Sequence, residues 1–338
     1  MKNKRIIALL LLCALMLAAI LTGCATTNEI AHKGTSDKAQ TTQTTPKPTL
    51  ETTPEIKDNA IIVTDMAGRE IKLDEPATQV IALFPSDCEI LYAIGAGETL
   101  VGRGEYCDYP QDVFDVPVVQ SGANTNIEQI INLNPQVLLM STMDQTEEQV
   151  AALEAAGIKV VVSKETDIEG VYTAISMIGT LMDKKTEAET IINSMKEAFS
   201  EVALKSVGKE EKTIYFEVSP LEYGLWTAGR GTFMNEIAEI LGLKNCFDDI
   251  NGWGAISEEQ VIERNPDYIV TITMYFGEGP RPEDEIMNRA GWESVTAVKN
   301  GAILNFQNNE LSRPIPRLAD GAKILYDFVY DSDELGAK

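Results

Sequence analysis

One ten-residue stretch occurs twice in this chain. Asn126-Ile127-Glu128-Gln129-Ile130-Ile131-Asn132-Leu133-Asn134-Pro135 aligns without a gap with Ser257-Glu258-Glu259-Gln260-Val261-Ile262-Glu263-Arg264-Asn265-Pro266, and an apolar strand pattern follows each copy. A weaker echo pairs Glu89-Ile90 and Gly95 with Glu236-Ile237 and Gly242. Between the halves, Ala188, Ile191, Ile192, Met195, Phe199 and Val202 recur at helical spacing from Lys184 to Val207, with no proline or glycine. A helix of that length spans roughly 30 Å or more. The repeat and the helix together restrict the chain to two similar lobes flanking one long helix.

The flanking pattern gives the fold class. Ile61–Asp65 and Ile71–Leu73 about Ala67-Gly68-Arg69 read as a hairpin. Val80–Leu83, Val137–Met140 and Lys159–Val162 read as buried strands. A helical pattern from Glu89 to Ile94 stops at Gly95, and another covers Thr146–Ala156. After the long helix, strands at Thr213–Val218, Tyr268–Thr273 and Ala302–Leu304 alternate with helices at Met234–Leu241, Glu258–Arg264 and Arg317–Tyr330. Such alternation predicts an α/β fold with a mainly parallel sheet.

The repeated stretch has its own local logic. Asn126 and Ser257 are N-cap residues, and Gln129 and Gln260 stand three residues on, as in a capping box. Asn134-Pro135 and Asn265-Pro266 end the helices, because a residue before proline avoids the helical region. Glu128 and Glu259 then hold the second helical position of each lobe. They favour the positive end of the helix dipole and are available to point outward.

The N-terminus directs export. Lys2, Lys4 and Arg5 precede an apolar run from Ile6 to Leu21, which ends at Leu21-Thr22-Gly23-Cys24. The run is short for a spanning helix. Small residues leading to a cysteine resemble the lipobox of bacterial lipoproteins, which implies cleavage after residue 23 and a diacylglycerol on Cys24. Residues 24–58 are rich in Thr, Pro, Lys and Ala, with almost no large apolar side chain to build a core, and read as a disordered tether. About 280 residues remain for the folded part.

Charge and composition exclude several functions. The formal charge is −24, and removal of the segment before Cys24 takes three basic residues and no acidic one. So acidic a chain disfavours nucleic acid and anionic lipid surfaces as partners. The one histidine, His32, lies in the tether, so the folded part has no His-based metal site and no Ser-His or Cys-His pair. Neither a phosphate-binding Gly-Lys loop nor a Gly-x-Ser-x-Gly elbow occurs. Of the cysteines, Cys88, Cys107 and Cys246 remain in the folded part. An oxidising location would allow a Cys88–Cys107 disulfide, while the preferred reading is buried free thiols, since free cysteine packs as a small hydrophobe.

Several stretches now stand in a meaningful order. They are Phe84-Pro85-Ser86-Asp87-Cys88-Glu89-Ile90-Leu91, Val101-Gly102 with Tyr106-Cys107-Asp108-Tyr109-Pro110, the Asn126–Pro135 segment, Gly252-Trp253 with Ile256–Pro266, and Pro316-Arg317-Leu318. Over residues 61–330 the chain resembles the class III substrate-binding proteins of ABC importers, the group serving cobalamin and ferric siderophores. The resemblance implies two Rossmann-like α/β lobes bridged by a single long α-helix, with ligand held between them: residues 59–183 and 208–332 about a linker helix at 184–207. It implies no catalysis and no cofactor. It also implies that Glu128 and Glu259, with Glu258 as the adjacent fallback, dock on arginines of the permease dimer that works with the ATPase. The positions matching the ligand cleft are Phe84, Pro85, Ser86, Tyr106, Trp226, Arg230, Trp253, Tyr275 and Arg313. Aromatic faces suit a planar or bulky chelate, and arginine suits an anionic group. Trp292 is assigned to packing.

One departure concerns Gly122-Ala123-Asn124, where some cobalamin binders carry a stacking tryptophan. Tyr106–Pro110 leans towards the cobalamin branch, whereas Arg230 and Arg313 would also suit a ferric siderophore; the corrinoid is preferred. The expectation is therefore a monomeric binding lipoprotein, held on the extracytoplasmic face of the cell membrane by its lipid, that delivers a metal chelate to a permease. The competing readings are a surface carboxylate-dependent hydrolase and an adhesive lipoprotein without a small ligand.

Overall fold

The computed structural model describes residues 60–141, 146–306 and 310–331. The signal segment, Cys24, the tether and His32 lie outside the described residues. The chain enters through a hairpin, β1 (Ile61–Thr64) antiparallel to β2 (Glu70–Leu73), with Ile61 opposite Leu73. Gly68, at φ 80°, makes its turn.

The first lobe is built on β3 (Val80–Ala82), β4 (Leu100–Gly104), β5 (Val118–Val119), β6 (Val137–Met140) and β7 (Lys159–Val162). They pair in the order β5-β4-β3-β6-β7, all parallel. Every residue of β3 and β6 is buried, as a parallel sheet covered on both faces requires. The helices are α1 (Pro85–Ala93), α2 (Ile127–Leu133), α3 (Glu147–Ala155) and α4 (Ile168–Leu181).

The linker helix α5 (Lys185–Ser206) follows α4 after a sharp break at Asp183, whose φ is 55°. Its 22 residues make it about 33 Å long. The second lobe holds β8 (Thr213–Ser219), β9 (Trp226–Ala228), β10 (Lys244–Asn245), β11 (Trp253–Ala255), β12 (Tyr268–Thr271) and β13 (Ile303–Asn305). The order is β11-β9-β8-β12-β13, with β10 pairing β8; β9 runs antiparallel to both neighbours and the other pairs are parallel. Its helices are α6 (Phe233–Ile240), α7 (Glu258–Arg264), α8 (Pro282–Met287), α9 (Thr296–Asn300) and α10 (Leu318–Tyr330).

One apolar core runs through both lobes. It joins Val80, Ile175 and Leu181 of the first lobe to Phe216, Ile237 and Leu325 of the second through Ala188, Met195, Phe199 and Val202 of α5. The helical stripe read from the sequence therefore has one purpose, to weld the lobes. Gly179 makes the α4–α5 approach close: a Cβ there would lie 2.5 Å from that of Ala188.

Two local expectations need correction. Helix α1 starts at Pro85, not near Glu89, because proline costs nothing at the first helical position. The helices do end at the Asn-Pro pairs, with Asn134 and Asn265 left-handed at φ 49° and 46°, a region asparagine tolerates. The full capping box forms in α7, between Ser257 and Gln260. In α2 the Asn126 side chain accepts from Gln129 N, but the Gln129 amide donates to Val118 O instead of returning to its own cap. Helix α4, whose buried face includes Val171, Ile175 and Ile178, has no counterpart in the sequence reading.

Candidate functional site

Strand order in the first lobe reverses between β3 and β6, and such a switch point opens a crevice at the carboxyl ends of the strands. The chain leaves β3 through Leu83 and Phe84 directly into α1. Phe84 and Pro85 are half-buried and Ser86 is buried. Helix α1 therefore presents its N-terminal turn at the place the topology assigns to a ligand.

Two sets of contacts join the lobes beside α1. On one side, Phe233 N donates to Thr166 O at 2.9 Å, and Ile168 N donates to Glu236 Oε2 at 2.7 Å. On the other, Arg313 makes a two-pronged pair with Asp108, at 2.6 and 3.1 Å, and lies 3.6 Å from Glu89. Arg317 grips Glu89 at 2.9 and 3.2 Å, bonds Glu310 at 2.6 Å, and stacks its guanidinium 3.9 Å from the Tyr109 ring centre. Burial raises the Glu89 carboxyl pKa above its ordinary value, against the lowering pull of Arg317 and Arg313. This clasp was only half visible in the sequence. Arg313 was read as a ligand anchor, yet its guanidinium is turned into the clasp and the residue is only 9% exposed. Arg317 was read only as a motif residue.

The aromatic candidates stay on the surface. Trp226 and Trp253 are 44% and 38% exposed, and Tyr106 is 60% exposed. Trp253 packs edge-on to Phe233, 5.7 Å between ring centres, which puts it one residue from the Thr166 contact. Tyr106 O lies 3.5 Å from Arg313 Nη2 on the clasp side. Arg230 is exposed, and its backbone pairs with Ile250 and Gly252 beside Trp253. Tyr275 is half-buried in the segment after β12, its hydroxyl donating to Gly279 O at 3.2 Å. Trp292, by contrast, is fully buried, as expected, with its indole N–H on Glu258 Oε2 at 2.8 Å.

That last bond separates the paired glutamates. Glu258 is anchored by Trp292, while Glu128 and Glu259 are exposed at the second position of α2 and α7. Bonds from its own backbone N–H and the Ser257 hydroxyl hold the Glu259 carboxyl below its ordinary pKa.

Beneath α1 lies a feature that sequence reasoning missed. Asp87 is fully buried, and neither carboxyl oxygen has a hydrogen-bond partner; Glu165, adjacent to Thr166, has its Oε1 equally unpartnered and out of solvent. Burial pushes Asp87 up to about 7 and Glu165 up to about 8, the latter raised further by Asp87. No group of three or more His, Cys, Asp or Glu suited to a metal occurs among the described residues. A depression of about 580 Å³ between β1 and helices α4 and α5 contains none of the candidate residues.

Two α/β lobes welded by one helix, with a seam at the strand ends, make the fold of the class III substrate-binding proteins, the group that the chain's ordered motifs resemble. Residues 80–309 match the periplasmic binding protein family, and the chain belongs to it. It is 30% identical over 276 residues to YvrC, an uncharacterized ABC transporter substrate-binding lipoprotein of Bacillus subtilis (strain 168), covering 80% of this chain and 85% of that one. It is 28% identical over 197 residues to the vitamin B12-binding protein of Salmonella paratyphi A, covering 57% and 72%. Among solved structures, a possible iron-binding (periplasmic solute-binding) protein of Staphylococcus epidermidis ATCC 12228 superposes with a TM-score of 0.64 at 31% identity, covering 76% of this chain and all of that one.

Proposed function

We propose that this protein captures a metal chelate at the lobe seam and hands it to an ABC permease without chemical turnover. The observation that carries this reading is the pair of half-exposed indoles, Trp226 and Trp253, beside the exposed Arg230. Wide apolar faces with one cationic anchor fit a bulky chelate bearing an anionic edge. Phe84, Pro85 and Ser86 form the opposite wall, with Tyr106 and Tyr275 at its margins. Arg313 serves by holding Asp108 and Glu89 rather than by offering a free guanidinium. A corrinoid is the preferred cargo, supported by the likeness to a vitamin B12-binding protein. A ferric siderophore is the second reading, supported by Arg230 and the likeness to a possible iron-binding protein.

The reading extends to the whole chain. Residues 1–23 direct export, Cys24 carries the lipid, and residues 24–58 tether lobes 59–183 and 208–332, joined at 184–207, on the extracytoplasmic face. Tethering beside the permease raises the binder's effective concentration there. Its monomeric form presents Glu128 and Glu259, one per lobe, to the permease dimer.

Calorimetry against cobalamin, cobinamide, haem and ferric siderophores tests the cargo. Saturable binding of one of them is expected, with Trp253→Ala weakening it by about tenfold or more. Binding of none would sink the chelate reading in favour of an adhesive role, and turnover without a partner would favour an enzyme. Glu128→Arg with Glu259→Arg should abolish uptake and leave affinity intact; an equal loss of affinity would remove the docking role.

A further inference from the structure

We propose that Cys88 and Cys107 are a redox pair that closes into a disulfide as the chain folds outside the membrane. The structure holds Cys88, Cys107 and Cys246 as free thiols. The first two are not independent. Cys88 Sγ lies 3.7 Å and Cys107 Sγ 3.9 Å from the same carbonyl oxygen, that of Ala82. The neighbouring Cys107 thiol, together with burial, pushes the Cys88 pKa well above the ordinary thiol value. Cys246 belongs to the other sheet, just after β10, and is half-buried.

What the bond would join gives it a consequence. Cys88 stands in α1 next to Glu89, and Cys107 stands next to Asp108. Those two acids hold Arg317 and Arg313 across the lobe seam. A Cys88–Cys107 bond would tie the helix and the loop that carry them, fixing one wall of the seam before any ligand arrives.

The folded thiols are 0% and 1% exposed, and a buried thiol of raised pKa is a poor nucleophile. Closure therefore belongs to the folding chain, with a small-molecule or protein disulfide as oxidant. With oxidised glutathione, the Cys88 thiolate attacks one sulfur and breaks the glutathione S–S bond, releasing one glutathione thiolate, which takes up a proton. The Cys107 thiolate then attacks the Cys88 sulfur of the mixed disulfide and releases the second glutathione. Two protein thiols lose two electrons, and the glutathione disulfide gains them.

The inference rests on the exported location but not on the identity of the cargo. Its test is iodoacetamide labelling in denaturant, with and without prior reduction, followed by peptide mass mapping. The full chain is taken from its native membrane and, in parallel, refolded in a glutathione redox buffer. Without reduction, the Cys88 and Cys107 peptides should be recovered unlabelled and linked, and the Cys246 peptide labelled. Reduction should lower Tm by about 5–10 °C and speed amide exchange in residues 104–110, with neither change in Cys88→Ser. Full labelling of both thiols in the membrane-derived chain overturns the proposal, whatever refolding gives, and so does a link to Cys246. The labelling uses the unsubstituted chain, so a failure of Cys88→Ser to fold does not weaken it.

Discussion

At the scale of single residues, most of the polar energetics is invisible to periodicity. Arg289 and Glu217 are 5% and 1% exposed and meet through two bonds of 2.6 and 2.9 Å. Glu285 joins from the next turn of α8, and the Trp292 ring centre lies 4.7 Å from the guanidinium. Burial raises the Glu217 carboxyl despite its partner. Removing one member of such a pair strands the other in low dielectric, which typically costs about 3–5 kcal/mol. Arg289→Ala should therefore lower the urea midpoint by that equivalent, and Glu217→Gln with Arg289→Met should recover much of it. A midpoint unchanged by Arg289→Ala would show that water replaces the guanidinium. The candidate aromatics were readable for the opposite reason. Tryptophans next to turn signals, such as Gly252-Trp253, announce themselves in sequence, whereas Asp87 and Glu165 look like any other acids in an acidic chain.

At the scale of elements, local signals succeeded where they were self-contained. The caps at Asn126 and Ser257 formed because a side-chain oxygen and a backbone N–H three residues on are always within reach. Helix α5, read as Lys184–Val207, spans Lys185–Ser206 for the same reason: its stripe is continuous and unbroken. Helix α4 carries a readable pattern, with polar Glu169, Thr173, Ser176 and Thr180 on one side and Val171, Ile175 and Ile178 buried on the other, that the sequence reading passed over. Its contact with α5 gives a sharp test. Gly179→Ala would set a Cβ 2.5 Å from the Ala188 Cβ and 3.1 Å from Lys184 O. Overpacking of this kind costs about 1–3 kcal/mol, so Tm should fall by several degrees even though alanine is the better helix former. A Tm that rises would mean that α4 and α5 separate without cost.

At the scale of the whole molecule, the acids beneath the seam predict how stability responds to pH. Asp87 lies within electrostatic reach of Glu165 and of the Cys88 thiol, with Ser163 nearby, and Cys107 and Arg103 also act on Cys88. Unfolded, the two carboxyls would titrate near their ordinary values of 3.8 and 4.5; folded, they do so at about 7 and about 8. Between those limits the folded state binds protons that the unfolded state has released, so stability falls as pH rises. The contribution is fully present below pH ~4 and is lost as pH passes through 7 and 8. Thermal unfolding should give a higher Tm at pH 5.5 than at pH 8.5, and Asp87→Asn with Glu165→Gln should flatten the difference. An unchanged slope in that double variant would assign the pH response elsewhere.

What the sequence by itself determined is what repeats or propagates along the chain: two α/β halves, the capped helices that carry Glu128 and Glu259, and the stiff connection between them. These depend on neighbours a few residues apart, and the resemblance of ordered motifs then located the class of protein. Only the tertiary structure decided which charges are spent. Arg313 reaches Asp108 across 205 residues of chain, and Arg317 reaches Glu89 across 228. No periodicity encodes such pairs, because their energy depends on removal from water and on a partner that only the packed lobes supply. The same packing put Arg313 into a clasp, and brought Asp87 within electrostatic reach of Glu165 and Cys88 beside Cys107.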